Sequence, residues 1–177
     1  MTNNSTRRSR TLTGRKRRAA QPKAVKRLAQ LERELLINEK RWQAVMHNPI
    51  MGVTVLGADH RFIMTNPTFQ AMVGYTDAEL KKLTAIDITP SDQRDLNRRL
   101  FKELQEGKRN NYELVKQLQR KDGKLIWIQL HVFGIPDGGA VGQHTFGMIF
   151  DITEKMYAQD ALQALKRSLR GRHRPAE

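Results

Sequence analysis

Residues 112–133 run Tyr112-Glu-Leu-Val-Lys-Gln-Leu-Gln-Arg-Lys-Asp-Gly-Lys-Leu-Ile-Trp-Ile-Gln-Leu-His-Val-Phe133 and carry the clearest β signal in the chain. Asp122-Gly123 is a two-residue hairpin signal, since such a turn needs positive φ at its central positions. The arm after it alternates. Ile126, Ile128, Leu130 and Val132 form one wholly apolar face, and Leu125, Trp127, Gln129, His131 and Phe133 form a mixed one. The arm before it, Tyr112–Arg120, is predicted to be its partner strand. Downstream, residues 143–152 read as a further strand, with His144, Phe146, Met148 and Phe150 on one side and Thr145, Gly147 and Ile149 on the other. From Thr153 the apolar period becomes helical, as Ala158, Leu162, Leu165 and Leu169 step by four and three.

Upstream, residues 50–57 and Arg61–Thr65 read as two strands joined by the polar break Ala58-Asp59-His60. Asn66-Pro67 offers an N-cap followed by proline at the first helical position, and Gly74 should stop that short helix. Thr76-Asp77-Ala78-Glu79 is a capping box opening a second helix through Leu83. Thr89-Pro90-Ser91-Asp92 opens a longer one, with Leu96, Leu100 and Leu104 four residues apart, ending at Gly107. The predicted plan is α+β: a five-stranded antiparallel sheet, short helices between strands two and three, and amphipathic helices at both ends.

Charge is unevenly spread over the 177 residues, whose net charge is +14. Residues 1–30 carry ten Lys or Arg and no acid, whereas residues 42–150 are almost balanced at thirteen bases and eleven acids. Residues 1–24 have too little apolar surface to offset their ordering entropy and are expected to be a disordered basic arm. Over 25–48, Leu28, Leu31, Leu35, Asn38, Trp42 and Val45 make an apolar stripe on an amphipathic helix. That stripe suits either a coiled-coil partner or the chain's own domain. The absence of Cys excludes disulfides, thiolate metal sites and a cysteine nucleophile. No apolar run approaches the roughly 20 residues of a membrane span, and no apolar stretch follows Arg7-Arg8 as an export signal requires. The expectation is a cytoplasmic protein with no membrane contact. The domain itself should cover 49–156, with an exit helix and tail over 157–177.

Three segments in order resemble the PAS sensor domain with its C-terminal PAC motif. They are Met51-Gly-Val-Thr-Val-Leu-Gly-Ala-Asp-His-Arg-Phe-Ile-Met-Thr-Asn-Pro-Thr-Phe-Gln-Ala-Met-Val-Gly-Tyr75-Thr-Asp-Ala-Glu-Leu80, Arg120-Lys-Asp-Gly-Lys-Leu-Ile-Trp127 and Phe150-Asp-Ile-Thr-Glu-Lys155. The resemblance implies a sheet whose inner face and short helices enclose a pocket, and whose outer face takes flanking helices or a second protomer. It implies a Glu79–Lys121 pair between the second short helix and the central hairpin, where two solvated charges are the plainer reading. It also implies a junction at Asp151 and Thr153, where both side chains can hydrogen-bond the start of the exit helix. By strand parity Trp127 should face away from the pocket.

Pocket candidates are Phe69, Met72, Val73, Leu100, Leu104, Ile128, Leu130 and Ile149, although an apolar set of this kind is ordinarily filled core. The resemblance implies that the light-sensing branch of the family, whose bound flavin bonds a Cys, is excluded, since this sequence has no Cys. It likewise implies that a haem-binding member would take its iron ligand from the long helix, here residues 91–107, which contain no His, so haem is disfavoured. No convergent metal ligands are evident, and the ligand stays unassigned between a non-covalent flavin and a small organic acid.

The function expected is sensing and signal relay to an unidentified signalling protein, without catalysis or an output domain, as a homodimer. Interface candidates are Leu28, Leu31, Leu35, Trp42, Trp127, Phe133, Phe146 and Met148. No nucleophile elbow, phosphate loop or paired-carboxylate signature points to an enzyme. The competing reading is nucleic-acid association through residues 7–27. There Arg7, Arg8, Arg10, Arg15, Lys16, Arg17 and Arg18 could contact phosphates, or else an acidic protein.

Overall fold

Strands β1 (Gly52–Leu56), β2 (Phe62–Thr65), β3 (Asn111–Gln119), β4 (Leu125–Asp137) and β5 (Ala140–Asp151) form one antiparallel sheet in the order β2-β1-β5-β4-β3. In this computed structural model the backbone is described for residues 12–137 and 140–171, and side chains for 23–135 and 144–169. The inner face follows the alternation of β4: Ile126, Ile128, Leu130 and Val132 are all buried. Thr145 and Ile149 of β5 join them, and so do Tyr112, Lys116 and Leu118 of β3. The hairpin forms at Asp122-Gly123 but with a three-residue loop in place of a two-residue one. The Arg120 N–H donates to the Lys124 carbonyl at 2.8 Å, the Gly123 N–H donates back to the Arg120 carbonyl, and of the loop residues only Gly123 takes positive φ, at 83°.

Helices α2 (Pro67–Val73), α3 (Asp77–Leu80) and α4 (Arg94–Gln105) lie between β2 and β3. Asn66 caps α2 by accepting from the Phe69 N–H at 2.9 Å. Its wholly buried side chain also accepts from the Val53 N–H and donates to the Met51 carbonyl, both at 2.8 Å, so one amide ties β1 to the helix. Gly74 ends α2 in the left-handed region at φ 78°, which glycine adopts without a Cβ penalty. The Thr76–Glu79 capping box is present in both directions, but α3 ends at Leu80 and not at Leu83.

The predicted Leu96–Leu100–Leu104 stripe is not the buried face of α4. Asn97, Phe101 and Leu104 are buried, Leu100 is half-buried and Leu96 is exposed. A four-residue step advances 40° beyond a full turn at about 100° per residue, so the two steps from Leu96 to Leu104 drift about 80° off any one face. A polar residue, Asn97, on the true inward face hid it from a purely apolar reading.

Helix α1 (Leu12–Met46) starts well before Val25. Residues 15–21 are Arg, Lys, Ala and Gln, which favour helix on propensity alone without an apolar stripe. On this helix taken by itself, Leu28, Leu31, Leu35 and Trp42 are exposed. Arg7, Arg8 and Arg10 lie outside the described residues, as do the side chains of Arg15, Lys16, Arg17 and Arg18. Helix α5 (Thr153–Gly171) leaves β5, with Leu162, Leu165 and Leu169 exposed. Among the described residues no helix is long and apolar enough to cross a membrane.

Candidate functional site

The inner face of the sheet, Phe69 of α2, α4 and the segment before α4 line a half-open cavity with about 40 Å³ of free space. That is room for about three waters, at the ~10–15 Å³ each water needs. Of the predicted pocket residues, Phe69, Ile128, Leu130 and Ile149 line the cavity. Met72, Val73 and Leu104 are buried in the core beside it, and Leu100 packs on the core's rim. Phe101 lines the cavity in place of Leu100, with its ring 3.8 Å from that of His60.

The lining is not wholly apolar. Lys116, Asn97 and Thr145 reach it, and all three are almost fully buried. The Lys116 ammonium donates to Thr89 Oγ1 at 2.9 Å, and Thr89 in turn donates to the Ala85 carbonyl at 2.7 Å. Burial pulls the Lys116 pKa down to about 7, since an ammonium loses hydration there without gaining a counter-charge. Burial likewise raises the Tyr112 phenol and lowers the His60 imidazole, and both groups line the same cavity. Thr145 Oγ1 has no hydrogen-bond partner among the described residues. Sequence reading missed these polar groups because it searched for apolar stripes. The parity of β3 places Lys116 with Tyr112, Leu114 and Leu118, opposite Glu113, Val115 and Gln117, and that signal would have found it.

Glu79 and Lys121 do meet: Nζ donates to Oε1 at 2.6 Å, between α3 and the β3–β4 hairpin. The Lys121 hydrogen bond first, then the Thr76 N–H and hydroxyl, hold the Glu79 carboxyl at about 2. Beside this pair the hairpin closes the end of α2. Lys121 N–H donates to the Val73 carbonyl at 2.9 Å and the Arg120 guanidinium donates to the Met72 carbonyl.

At the junction, Asp151 Oδ1 accepts from the Thr153 N–H at 2.9 Å and so caps α5. The Thr153 hydroxyl does something else. It bonds the backbone of Trp127 in β4, fastening the helix start to the sheet rather than to its own first turn. Trp127 is half-buried and does not line the cavity, as its parity required. Phe133, Phe146 and Met148 share its outer face, where Phe133 pairs with Phe146 across β4 and β5. Among the described residues no group of three His, Asp or Glu side chains is placed to hold a metal.

Known proteins resemble this chain in sequence and in fold. The chain is 33% identical over 144 residues to the sensor histidine kinase TmoS of Ectopseudomonas mendocina, covering 81% of this chain but 15% of that protein. A solved sensory box histidine kinase/response regulator from Burkholderia thailandensis superposes with a TM-score of 0.58 at 22% identity, covering 73% of this chain and 98% of that one. An RNA-binding light-oxygen-voltage receptor superposes at 0.64 with 18% identity, over 80% of this chain and 40% of that one. At these identities the two structures speak for the fold alone. The family match itself, described as PAS domain, spans residues 50–154, more than half of the sequence and all five strands. The chain belongs to the PAS domain family.

Proposed function

We propose that this sensory module takes up a small ligand in its core cavity and reports occupancy through helix α5 to a separate signalling protein. One observation carries the reading. Strand β4 supplies Ile128 and Leu130 to the cavity wall, and its neighbouring residue Trp127 holds Thr153 at the start of α5. A strand shift of a few tenths of an ångström on ligand entry would be felt at that hydroxyl. A homodimer is part of the proposal, since the exposed leucines of α1 and α5 and the outer-face aromatics Trp127, Phe133 and Phe146 offer apolar surface to a second copy. No catalytic step is assigned to the chain; its kinase-type relatives are much longer proteins, of which it spans a small part. Native mass spectrometry of the full chain purified from its own host, with an absorption spectrum, tests the reading. A retained small molecule and a dimer mass support it. A bare monomer that stays bare in a small-molecule screen overturns it.

A second reading has its own support in the ten basic residues of positions 1–30 with no acid among them. Nucleic acid bound there would show affinity falling steeply with salt and little sequence preference. If deleting residues 1–24 leaves DNA and RNA retention unchanged, that reading fails.

A further inference from the structure

We propose that the cavity is a receptor site for a short-chain monocarboxylate, in the acetate-to-butyrate range, whose carboxylate is held by the Lys116 ammonium. The inference rests on the ligand-sensing reading above and gives it a chemical class.

The first ground is hydrogen-bond satisfaction. An ammonium has three N–H donors. Lys116 Nζ gives one to Thr89 Oγ1, whose own proton is committed to the Ala85 carbonyl, so Thr89 can only accept. Lys116 is 4% exposed and lines the cavity, and among the described residues no carboxylate lies within ion-pair distance of it. A buried cation without a counter-ion is costly, and an anion entering the cavity would relieve that cost.

The second ground is the company Lys116 keeps. Ile88, Phe101, Leu118 and Ile128 line the same cavity and suit an alkyl stem. The amide of Asn97, also buried and lining the cavity, is a further polar group for the head of a ligand. Arg94 Nε donates to the Thr89 carbonyl at 2.8 Å, which adds positive potential on the Thr89 side. The other titratable groups facing the cavity, Tyr112 on β3 and His60 in the β1–β2 turn, are not anions at neutral pH, so neither neutralises Lys116.

The third ground is size. About 40 Å³ of free space suits a ligand of only a few heavy atoms. A single buried ammonium matches a single negative charge. Thr145 does not belong to this anchor. Lys116 pairs with Ile128 and Thr145 with Gly134, six residues further along β4, which is roughly 20 Å at about 3.3 Å per residue.

Charge restoration on binding gives the site its own signature. Burial holds Lys116 near 7 in the free protein, so a bound carboxylate should draw its titration upward.

The test titrates the full-length chain with sodium propionate, and in parallel with propionamide and 1-propanol, following binding by calorimetry and the Lys116 ¹³Cε signal by NMR. The proposal expects propionate to bind, to move the Lys116 signal and to raise its titration midpoint. It expects the two neutral analogues to bind about tenfold more weakly or not at all. Lys116→Met should lose the preference for the anion while keeping a folded spectrum; if that variant misfolds, the wild-type ¹³Cε titration still decides. Equal binding of acid and amide, with Lys116 unmoved, overturns the carboxylate anchor while leaving a ligand-binding cavity. Binding of none of the three overturns the anchor, and xenon then tells whether the cavity admits any guest.

Discussion

The hydroxyl of Thr153, the first residue of α5, accepts the Trp127 N–H at 3.0 Å and donates to the carbonyl of that same residue at 3.4 Å. The Ile152 N–H reaches the Trp127 carbonyl as well, at 2.9 Å. The backbone of one β4 residue therefore fixes where the exit helix begins. Thr153→Val keeps the shape and removes the hydroxyl, leaving the half-buried Trp127 N–H without its acceptor. It should cost about 1–3 kcal/mol in chemical denaturation and speed hydrogen exchange at the Trp127 amide. Unchanged exchange at that amide would mean the hydroxyl is incidental.

The buried face of α4 is Asn97–Phe101–Leu104, with Leu96 outside it. Phe101→Ala should destabilise the fold by about 3–5 kcal/mol, as large-to-small changes in a core do. Leu96→Ala should stay within about 0.5 kcal/mol. Reversal of that order in urea denaturation would restore the four-step leucine stripe.

Glu79 is held at about 2 by the Lys121 ammonium and then by Thr76. A carboxyl whose folded pKa lies below its unfolded value stabilises the fold above the unfolded pKa, and that contribution fades as pH falls from about 4.5 toward 2. Carboxyl ¹³C titration should place the Glu79 midpoint near 2 in the wild type and clearly higher in Lys121→Met. Coincident midpoints would reduce the pair to two solvated charges.

Lys116 titrates near 7 when folded and in the ordinary lysine range when unfolded. Between those values the unfolded chain binds the extra proton, so wild-type stability should rise with pH from about 7 toward 10. His60 is lowered and acts below that window, and the raised Tyr112 acts above it. Lys116→Met should lack this rise and be the more stable form near neutrality. Parallel stability curves for the two proteins would show that Lys116 is not desolvated.

Legibility followed the kind of signal each element carries. The β4 alternation, the Asp122-Gly123 hairpin, the Asn66 cap and the Thr76–Glu79 box are local patterns, and each forms where local chemistry placed it, although the hairpin loop is one residue longer than a two-residue turn. The cavity is not local. Phe69, Ile128, Leu130 and Ile149 were legible as apolar residues on inward positions, while Lys116, Asn97 and Thr145 sit on equally inward positions with polar side chains. Hydrophobic patterning passes over such residues, and strand parity at Lys116 was the unused clue. The Thr153 hydroxyl was expected to serve its own helix, and it serves β4 instead because strand pairing brings Trp127 within reach.

The claim that cavity occupancy is felt at the exit helix is tested most directly by ¹H–¹⁵N and methyl spectra of the full chain under xenon pressure. Xenon enters small apolar cavities without a chemical preference of its own. Shifts are expected at the Ile128 and Leu130 methyls and should continue through the amides of Trp127 and Thr153 into the first turn of α5. Methyl shifts with the Thr153 amide unmoved would contradict that claim.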